Sequence, residues 1–297
     1  NSTGRQGQGS GTALASWFPM EAIWKDIVHS LRRLRRAPVF TLVVVATLAL
    51  GIGANSAIFS VVNAVVFKPL PFPEPERLMS VGVSYRGRNF VQYVSPMNFL
   101  DIQAASRTFQ AMSAFTTGSA TLTDQGAPAS LRWAGVSSSF FDVIGVRPSM
   151  GRGFRSDENE PDKSLVVVLA HDLWKSRFGG DPDIIGKKIR IEGQLHEVVG
   201  IASPGMSFPE GIDVWTPLRH DPRFLTKSRG AWYLTVIGRL GGGASEENAR
   251  QEISTIIARL VQEYGEANEG LSGRVMPLHE VMVGDTRSGL MFLMGAV

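Results

Sequence analysis

The sequence predicts an α+β protein with a membrane anchor. We expect an N-terminal interfacial amphipathic helix and one transmembrane helix, then a mixed α/β exported domain of two subdomains, and finally a truncated second transmembrane helix. Residues 37–67 contain no charged side chain, and about 18 or more such residues can cross a bilayer as a helix. After this run, strand-like and helix-like patterns alternate between Gly- and Pro-rich turns, which predicts the mixed domain.

We divide the chain into five segments by composition and periodicity. Met20 precedes the amphipathic pattern and is the expected start of the folded protein. In chain order, the segments are a disordered or upstream-translated segment at 1–19, a cytoplasmic amphipathic helix at 20–37, a first transmembrane helix at 38–68, an exported domain at 69–284 and the start of a second, truncated transmembrane helix at 285–297.

Basic residues next to the uncharged run predict its orientation. The whole chain has 30 basic and 27 acidic residues, and residues 21–36 alone hold five basic and two acidic ones. Positive residues that flank a span stay on the cytoplasmic side, so the N-terminus is predicted inside and residues 69–284 outside. The arginines that orient the chain are Arg32, Arg33, Arg35 and Arg36.

Residues 20–37 have an apolar face that includes Trp24 and an Arg-rich opposite face. This pattern is typical of a helix that lies in the membrane interface; an ordinary amphipathic helix packed on protein is the alternative. For the uncharged run, a cleaved signal peptide or a buried core helix are the alternatives, but a signal peptide has an apolar core of only about 7–15 residues.

The second half of the uncharged run carries small and polar residues. Residues 51–56 superficially match a phosphate-binding glycine loop, but they follow no strand, so nucleotide binding is not predicted. Small and hydrogen-bonding side chains suit close packing against another transmembrane helix. The residues predicted to pack in this way are Gly51, Gly53, Asn55, Ser56 and Asn63.

The exported domain shows strand and helix signals in turn. Ser95 followed by Pro96 indicates a helix start, and Gly-containing turns separate pairs of alternating segments, which indicates hairpins. We predict strands at 78–84, within 111–137 (a hairpin around Gly126), at 165–169, 188–191, 195–201, 232–240 and 273–278, and helices from Ser95, at 138–144, at 171–178 and from Ser245 to Gly265. One subdomain is expected from both ends of this segment and the other from its middle.

No catalytic or metal-binding constellation is evident. The chain has no cysteine and five histidines, and His196-Glu197 lacks the second histidine of a zinc-protease motif. We therefore predict no enzyme, no metal and no cofactor bound by this chain. His196 lies in an alternating strand and is expected at the surface or with its hydrogen bonds satisfied, whereas Phe208 and Trp215 are expected in the core. The exported domain has no basic surplus, so nucleic acid is not an expected partner.

Several phrases together resemble a known family. Residues 48–65, followed by Lys68-Pro69-Leu70-Pro71-Phe72 and Pro75-Glu76-Arg77-Leu78, resemble the first transmembrane helix and periplasmic start of MacB/FtsX-like ABC permeases. They are most similar to the duplicated orphan permeases without a fused ATPase. The phrases that resemble the periplasmic core domain of that family lie at 174–182, 185–186, 198–200, 213–218 and 238–240.

This resemblance implies a permease subunit, here a fragment, in the bacterial inner membrane, with a periplasmic main domain. In such permeases, ATP hydrolysis by a cytoplasmic ABC ATPase moves the transmembrane helices, and the motion reaches the periplasmic domain for export or mechanotransmission. The implied partners are the lipid bilayer, a second permease half or protomer, and a separate ATPase, which uses the ATP. A periplasmic adaptor is a further partner that the resemblance allows but does not require.

Two other functions are compatible with the residues. The first is a single-span membrane sensor or adaptor whose outer domain binds a ligand, and the second is a membrane-anchored periplasmic enzyme.

Overall fold

A computed structural model describes Trp24, His29 and residues 37–66, 70–87, 90–91, 93–123, 126–160, 162–219 and 229–284. The chain divides into two compact units, Asn1–Asn63 with Leu290–Val297 and Ala64–Gly289. Apart from Trp24 and His29, which are helical, and Ala37, the predicted interfacial helix at 20–37 lies outside the described residues. The predicted second span at 285–297 also lies outside them.

Helix α1 spans Pro38–Val66. Pro38 is its first residue, and proline is tolerated there because the N–H groups of the first turn make no intrahelical hydrogen bond. Large apolar side chains such as Leu50 and Ile52 are exposed on it, at 76% and 67%. Within the described part of the chain, no helix has both the length and the apolarity that a membrane crossing requires. The span predicted at 38–68 is therefore helical over most of its length, but its crossing of a membrane stays a prediction.

The second unit is built on one continuous sheet. Its strands are β1 Leu78–Tyr85, β2 Phe90–Val91, β3 Tyr93–Val94, β4 Phe109–Leu122, β5 Ala129–Val136, β6 Met150–Gly151, β7 Val166–Leu169, β8 Lys188–Ile191, β9 Gln194–Ile201, β10 Val214–Pro217, β11 Leu234–Leu240 and β12 Leu271–Pro277. Its helices are α2 Pro96–Ala105, α3 Phe140–Ile144, α4 His171–Phe178, α5 Glu246–Glu263, α6 Gly265–Asn268 and α7 at 278–284.

Strands from the two ends of this unit form an open antiparallel part of the sheet. The order is β12–β1–β11–β4, with β1 between β12 and β11. Helix α5 begins at Ser245, whose hydroxyl accepts a hydrogen bond from the Asn248 amide, as an N-cap does. Its buried stripe then packs with residues of α2 and of these strands in one core cluster. The predicted cap, stripe and helix are confirmed.

Strands from the middle of the unit close into a ring. Strand β4 pairs with β5, and the pairing continues through β10, β7, β9 and β8. Strand β8 returns to β4, where Leu122 faces Ile191 and the Thr123 amide donates to the Arg190 carbonyl at 3.1 Å. These six strands therefore form a small barrel.

The barrel has its own apolar interior. Side chains that alternate along each strand point inward, as the period of two requires, and α4, which follows β7, adds Trp174 to them. The inward-facing residues include Ala120, Leu122, Leu131, Val167, Leu169, Ile189, Ile191, Val198 and Val214.

Most of the locally encoded elements were predicted within one or two residues. The helix at 171–178 and the hairpin at 188–201 are confirmed, the latter with Glu192 and Gly193 both at positive φ, as a tight hairpin turn requires. Strand β10 was not predicted. The end strands and middle strands do form different parts of the sheet, but both parts belong to a single compact unit, and a division into two subdomains stays a prediction.

Glu252 on α5 forms hydrogen bonds with the residues that lead into β4. These bonds predict that the free energy of unfolding depends on pH. Its carboxylate accepts hydrogen bonds from the Ser106 hydroxyl at 2.6 Å and from the Arg107 and Thr108 amides at 2.8 and 3.0 Å. Burial alone would raise the pKa of Glu252, but these donors outweigh it and lower the pKa below 4.5. The stabilisation is therefore present at neutral pH and lost as pH falls through the lowered pKa.

We predict that Glu252→Gln lowers the free energy of unfolding at pH 7 by about 1 kcal/mol, since partial exposure screens the charge. The difference from the wild type shrinks as the pH falls through the lowered pKa of Glu252, because the protonated carboxyl loses its charge. Urea unfolding of both proteins at a series of pH values measures this difference in the free energy of unfolding. The exposed Glu266 serves as a control: a Glu266→Gln variant that shows the same pH-dependent loss would contradict the assignment to Glu252.

Candidate functional site

The first candidate site is the place where the chain enters its second unit. Residues 70–77, here called the neck, run from Leu70 through a short 3-10 turn at Pro75–Arg77 into β1. Glu74, which precedes that turn, has a left-handed conformation with φ 46°. A non-glycine residue adopts this conformation at an energetic cost and keeps it only where the surroundings hold it. The neck therefore has a defined shape on the domain.

Arg239 on β11 binds the neck and helps to keep it in this conformation. Its guanidinium is buried and donates to the Val143 carbonyl of α3 at 2.8 Å and to the Pro73 carbonyl of the neck at 3.0 Å. A longer bond, 3.4 Å, reaches the Glu74 carbonyl. Gly145, at the end of α3, lies against the same guanidinium, where a Cβ would meet its Nη2 at 3.1 Å. One side chain thus joins the sheet, the neck and α3.

The charge of Arg239 has little compensation from carboxylates. Burial lowers the pKa of Arg239, and the neighbouring positive charge of Arg77 lowers it further, whereas Glu74 acts in the opposite direction. The nearest carboxylate oxygen, on Glu74, is 4.0 Å away. An arginine stays protonated in proteins, so carbonyl dipoles must solvate this cation. Displacing the neck would remove two of them.

Arg77 fixes the other end of the neck. Its Nη2 and Nε donate to the Leu240 carbonyl at 2.6 and 3.1 Å, and its Nη1 binds the Glu74 carboxylate at 2.8 Å. Nη2 also donates to the Gln110 side chain at the start of β4. The neck is therefore bonded to β11 and β4 as well as continuous with β1.

Aromatic side chains pack beneath the neck. Phe72 is buried and its ring lies 5.5 Å from that of Phe208, edge to face. Phe208 in turn contacts Phe115 of β4 at 5.6 Å and stacks on Phe140 of α3 at 5.9 Å. The Trp215 indole N–H donates to the Phe208 carbonyl at 3.1 Å. The expectation that Phe208 and Trp215 are core residues is confirmed.

Helix α7, at the other end of the unit, reaches the same place. Leu278 is buried in the core cluster that contains Phe72 and Phe208. A cavity of about 100 Å³ lies between the neck and α7, lined by Leu70, Phe72 and Met282 among others. The segments that lead into and out of the domain therefore pack on the same apolar residues. We call this region the neck junction (the neck, Arg239, Phe208 and α7).

The site residues predicted from sequence lie elsewhere. Arg32, Arg33, Arg35 and Arg36 are outside the described residues. The predicted helix-packing residues are all in α1, and Gly51, Gly53, Asn55 and Ser56 are exposed there; the side chain of Asn63 is not described. Among described residues, no group of three or more His, Asp or Glu is placed to hold a metal ion. Both roles, in orientation and in packing, stay predictions.

Arg239 and Arg77 appeared in the sequence only as parts of family-like phrases, without a role. The available signal was a single charge in the otherwise uncharged strand Leu234–Leu240. A charged side chain at such a position needs a buried partner. Which partner it has depends on packing between distant segments, so the signal identifies a position and not a function.

Comparisons with known proteins agree on the fold. A family model described as MacB-like periplasmic core domain matches residues 41–256. The chain is similar to a domain of a protein described as a permease from Porphyromonas gingivalis, with 17% identity and a TM-score of 0.53 over 70% of this chain and 92% of that one. It is also similar to the periplasmic region of MacB from Actinobacillus actinomycetemcomitans, with 16% identity and a TM-score of 0.50 over 71% and 92%. No curated protein matches the sequence.

The neck junction predicts a specific destabilisation. In an Arg239→Met variant, the carbonyls of Pro73 and Val143 lose their donor in a buried place, which lowers the free energy of unfolding by about 2 kcal/mol. Amide hydrogen exchange in the neck, including the Arg77 amide that donates to the Glu74 carbonyl, becomes faster. Urea unfolding and exchange measured by mass spectrometry test both effects.

The matched control is Arg274→Met on β12, which is separated from β11 by β1 in the same sheet. Arg274 is exposed and makes only a 3.4 Å contact with the Ser84 hydroxyl, so its loss changes stability by less than about 0.5 kcal/mol. Equal effects of the two variants on stability and on exchange in the neck would show that Arg239 does not hold the neck.

Proposed function

We propose a function from the premise that the chain belongs to the MacB-like periplasmic core domain family of ABC transporter permeases, whose model matches residues 41–256. The chain acts as a permease subunit of an ABC-type export or mechanotransmission system. ATP hydrolysis by a separate cytoplasmic ATPase moves membrane helices, and the extracytoplasmic domain moves with them. Residues 69–284 are that domain, and α1 connects it to the membrane.

The neck junction is the observation that carries this proposal. A loose tether would let a membrane anchor move without moving the domain. Here the segment that precedes β1 is bonded to β11 and α3 through Arg239 and to β11 and β4 through Arg77. A displacement applied at the neck is therefore passed to the centre of the sheet, because hydrogen-bonded strands and packed cores move as discrete bodies.

Exposed apolar residues of α1 support the membrane side of the proposal. Val39, Leu42, Leu50 and Ile52 are between 67% and 76% exposed, and an extended apolar surface of this kind is typical of a helix that contacts lipid or another protein. The arginines that precede the helix put its start in the cytoplasm by the positive-inside rule. The domain that follows would then lie on the outer side, as the family's periplasmic core domain does.

The identity of the ATPase as a separate chain is the finer part of the proposal. Its support is the resemblance of residues 48–65 and of the segment that follows them to permeases without a fused ATPase. A periplasmic adaptor and a second permease protomer are further partners of such a system.

We predict that the affinity-tagged chain, purified from membranes of its own bacterium, brings with it an ATPase that carries a P-loop. In lipid nanodiscs, the chain raises the ATP hydrolysis rate of that ATPase. An Arg239→Met variant loses more than half of this stimulation while the ATPase still co-purifies, because the anchor is uncoupled from the domain. Hydrolysis rates and quantitative mass spectrometry of the purified complex measure both quantities.

Arg274→Met is again the control and retains full stimulation. Co-purification of a histidine kinase or another signalling protein without an ATPase would contradict the proposal and favour a membrane sensor. Stimulation that is unchanged in Arg239→Met would leave the ATPase partnership intact and refute the role of the neck junction.

A further inference from the structure

The barrel has one end at which its interior is not filled. Helix α4 follows the last residue of β7 and contributes Trp174 to the interior. At the other end of β7, a cavity of about 410 Å³ opens beside Leu165 and Val166. Ligand sites of this size commonly lie in the mouths of β-barrels. We call this cavity the barrel mouth.

The residues that border the barrel mouth continue the inward-facing rows of the strands. On β9, His196 lies two residues before the inward Val198, and on β10, Thr216 lies two residues after the inward Val214. Because side chains two apart share a face, both point into the barrel. The remaining border is mostly apolar and includes Ala120, Trp133, Leu165, Ile191, Pro217 and Leu218.

His196 places a hydrogen-bond acceptor in the barrel mouth. It is only 7% exposed, and its Nδ1 lies 3.1 Å from the Gln194 carbonyl. A carbonyl only accepts, so Nδ1 carries the hydrogen and the lone pair of the neutral ring is on Nε2. Among the described residues, Nε2 has no hydrogen-bond partner. Of the two positions expected for His196, the surface one was therefore wrong, because the side chain is buried and faces the barrel interior. That all of its hydrogen bonds are satisfied stays a prediction.

The neutral form of this histidine is favoured by its surroundings. Burial lowers the pKa of His196 below its usual 6.5, the bond to Gln194 opposes this, and the positive charge of Arg219 lowers the pKa further. At neutral pH, Nε2 is thus an acceptor that can receive a hydrogen bond from a ligand. Protonation would turn it into a donor.

Trp133 forms a fixed aromatic wall. Its indole N–H donates to the Thr216 hydroxyl at 2.8 Å, so the ring is held and has no further donor to offer. Gly118 and Gly135 lie beneath the ring, and a Cβ on Gly135 would meet it at 2.9 Å. Glycine at these positions therefore lets the indole lie against the sheet. A flat apolar ligand can pack on such a surface.

The charges at the rim favour an uncharged ligand. Arg219 and Glu192 both border the barrel mouth and have opposite signs. Arg219 donates to the Lys163 and Ser164 carbonyls, and the Glu192 carboxylate accepts from the Thr121 amide. Because the two charges offset each other and each has bonds within the protein, the cavity has no excess of one sign that would attract an ion.

We propose that the barrel mouth binds a small uncharged ring compound with one hydroxyl or N–H group. The ring packs on Trp133 between the apolar walls, and the polar hydrogen is donated to His196 Nε2. This site is distinct from the neck junction and does not depend on the proposed transport function. It gives the extracytoplasmic domain a ligand of its own.

The test uses 2-naphthol and its ether 2-methoxynaphthalene, which has the same rings but no hydroxyl hydrogen. The full chain is placed in lipid nanodiscs, and binding is measured by equilibrium dialysis against empty nanodiscs at pH 7.5. We expect saturable binding of one 2-naphthol per chain, and about fivefold weaker binding of the ether, which is the range of one hydrogen bond between neutral groups. In protein with ¹³C-labelled histidine, the ring signal of His196 shifts with 2-naphthol and is identified by its absence in His196→Leu.

Four variants separate the site from its alternatives. His196→Leu keeps the apolar volume and abolishes the preference for 2-naphthol over the ether. Ala120→Phe fills the cavity from within and Ser119→Trp blocks it from the exposed rim; the second variant leaves the core intact should the first fail to fold. Ala120→Phe and Ser119→Trp each abolish the binding of 2-naphthol. Thr117→Phe, an exposed change on the same strand that borders a different cavity, leaves binding unchanged.

Three outcomes would overturn the proposal. The first is that the chain in nanodiscs takes up no more 2-naphthol than empty nanodiscs do. The second is that His196→Leu retains the preference for 2-naphthol over the ether. The third is that Thr117→Phe lowers binding as much as Ser119→Trp does, which would place the probe in the other cavity. None of these results bears on co-purification of an ATPase, so failure here and failure of the proposed transport function are distinguishable.

Discussion

A buried cation, the guanidinium of Arg239, determines how the neck is attached to the domain. Moving such a group out of water is unfavourable unless polar groups replace the water. Here the carbonyls of Val143 and Pro73 do so for Nε and Nη1, whereas Nη2 has no hydrogen-bond partner among the described residues. These two carbonyls come from α3 and from the neck, so the cation keeps its hydrogen bonds only when both segments are in place. The same constraint positions Phe72 over the aromatic cluster. Phe72 therefore packs in the core cluster that also contains Leu278 of α7.

Strand β4 extends this attachment through the rest of the domain. Its first part pairs with β11, where Arg239 lies opposite Ala111, and its second part pairs with β5 and closes the barrel at Leu122. One strand of 14 residues is thus common to the open sheet and to the barrel. The path from the open part of the sheet to the barrel along β4 therefore crosses no loop. The barrel mouth is therefore connected to the neck by a continuous hydrogen-bonded ladder.

Sequence patterns predicted what local chemistry determines. The Ser95 cap, the hairpin turn at Glu192-Gly193 and the stripe of α5 all arise from residues a few positions apart. Family resemblance identified the domain, and the family model confirmed it. Strand β10 was missed, because a strand of four residues with a proline at its end has a weak local signal.

The candidate sites depend on distant pairings, and these were not predictable. Alternation in β9 divides its side chains between two faces, but only the pairing of β8 with β4 decides that the face of His196 is the inner one. Arg239 was recognisable as an isolated charge in an apolar strand, yet its partners lie 96 and 166 residues away. Contacts at such separations follow from the tertiary arrangement and not from any short pattern.

The central claim is that the neck moves with the sheet as one body. Because the chain has no cysteine, spin labels can be attached to Glu76→Cys in the neck and Ser272→Cys on β12 without background labelling. Both positions are exposed, and the eight residues from Glu76 to Ser84, which faces Ser272, give a separation of roughly 25 Å. Pulsed electron spin resonance should give a single narrow distance distribution, which broadens when Arg239→Met is added. A broad distribution in the otherwise unchanged protein would contradict the claim, because it would show a neck that is tethered to the domain but not held by it.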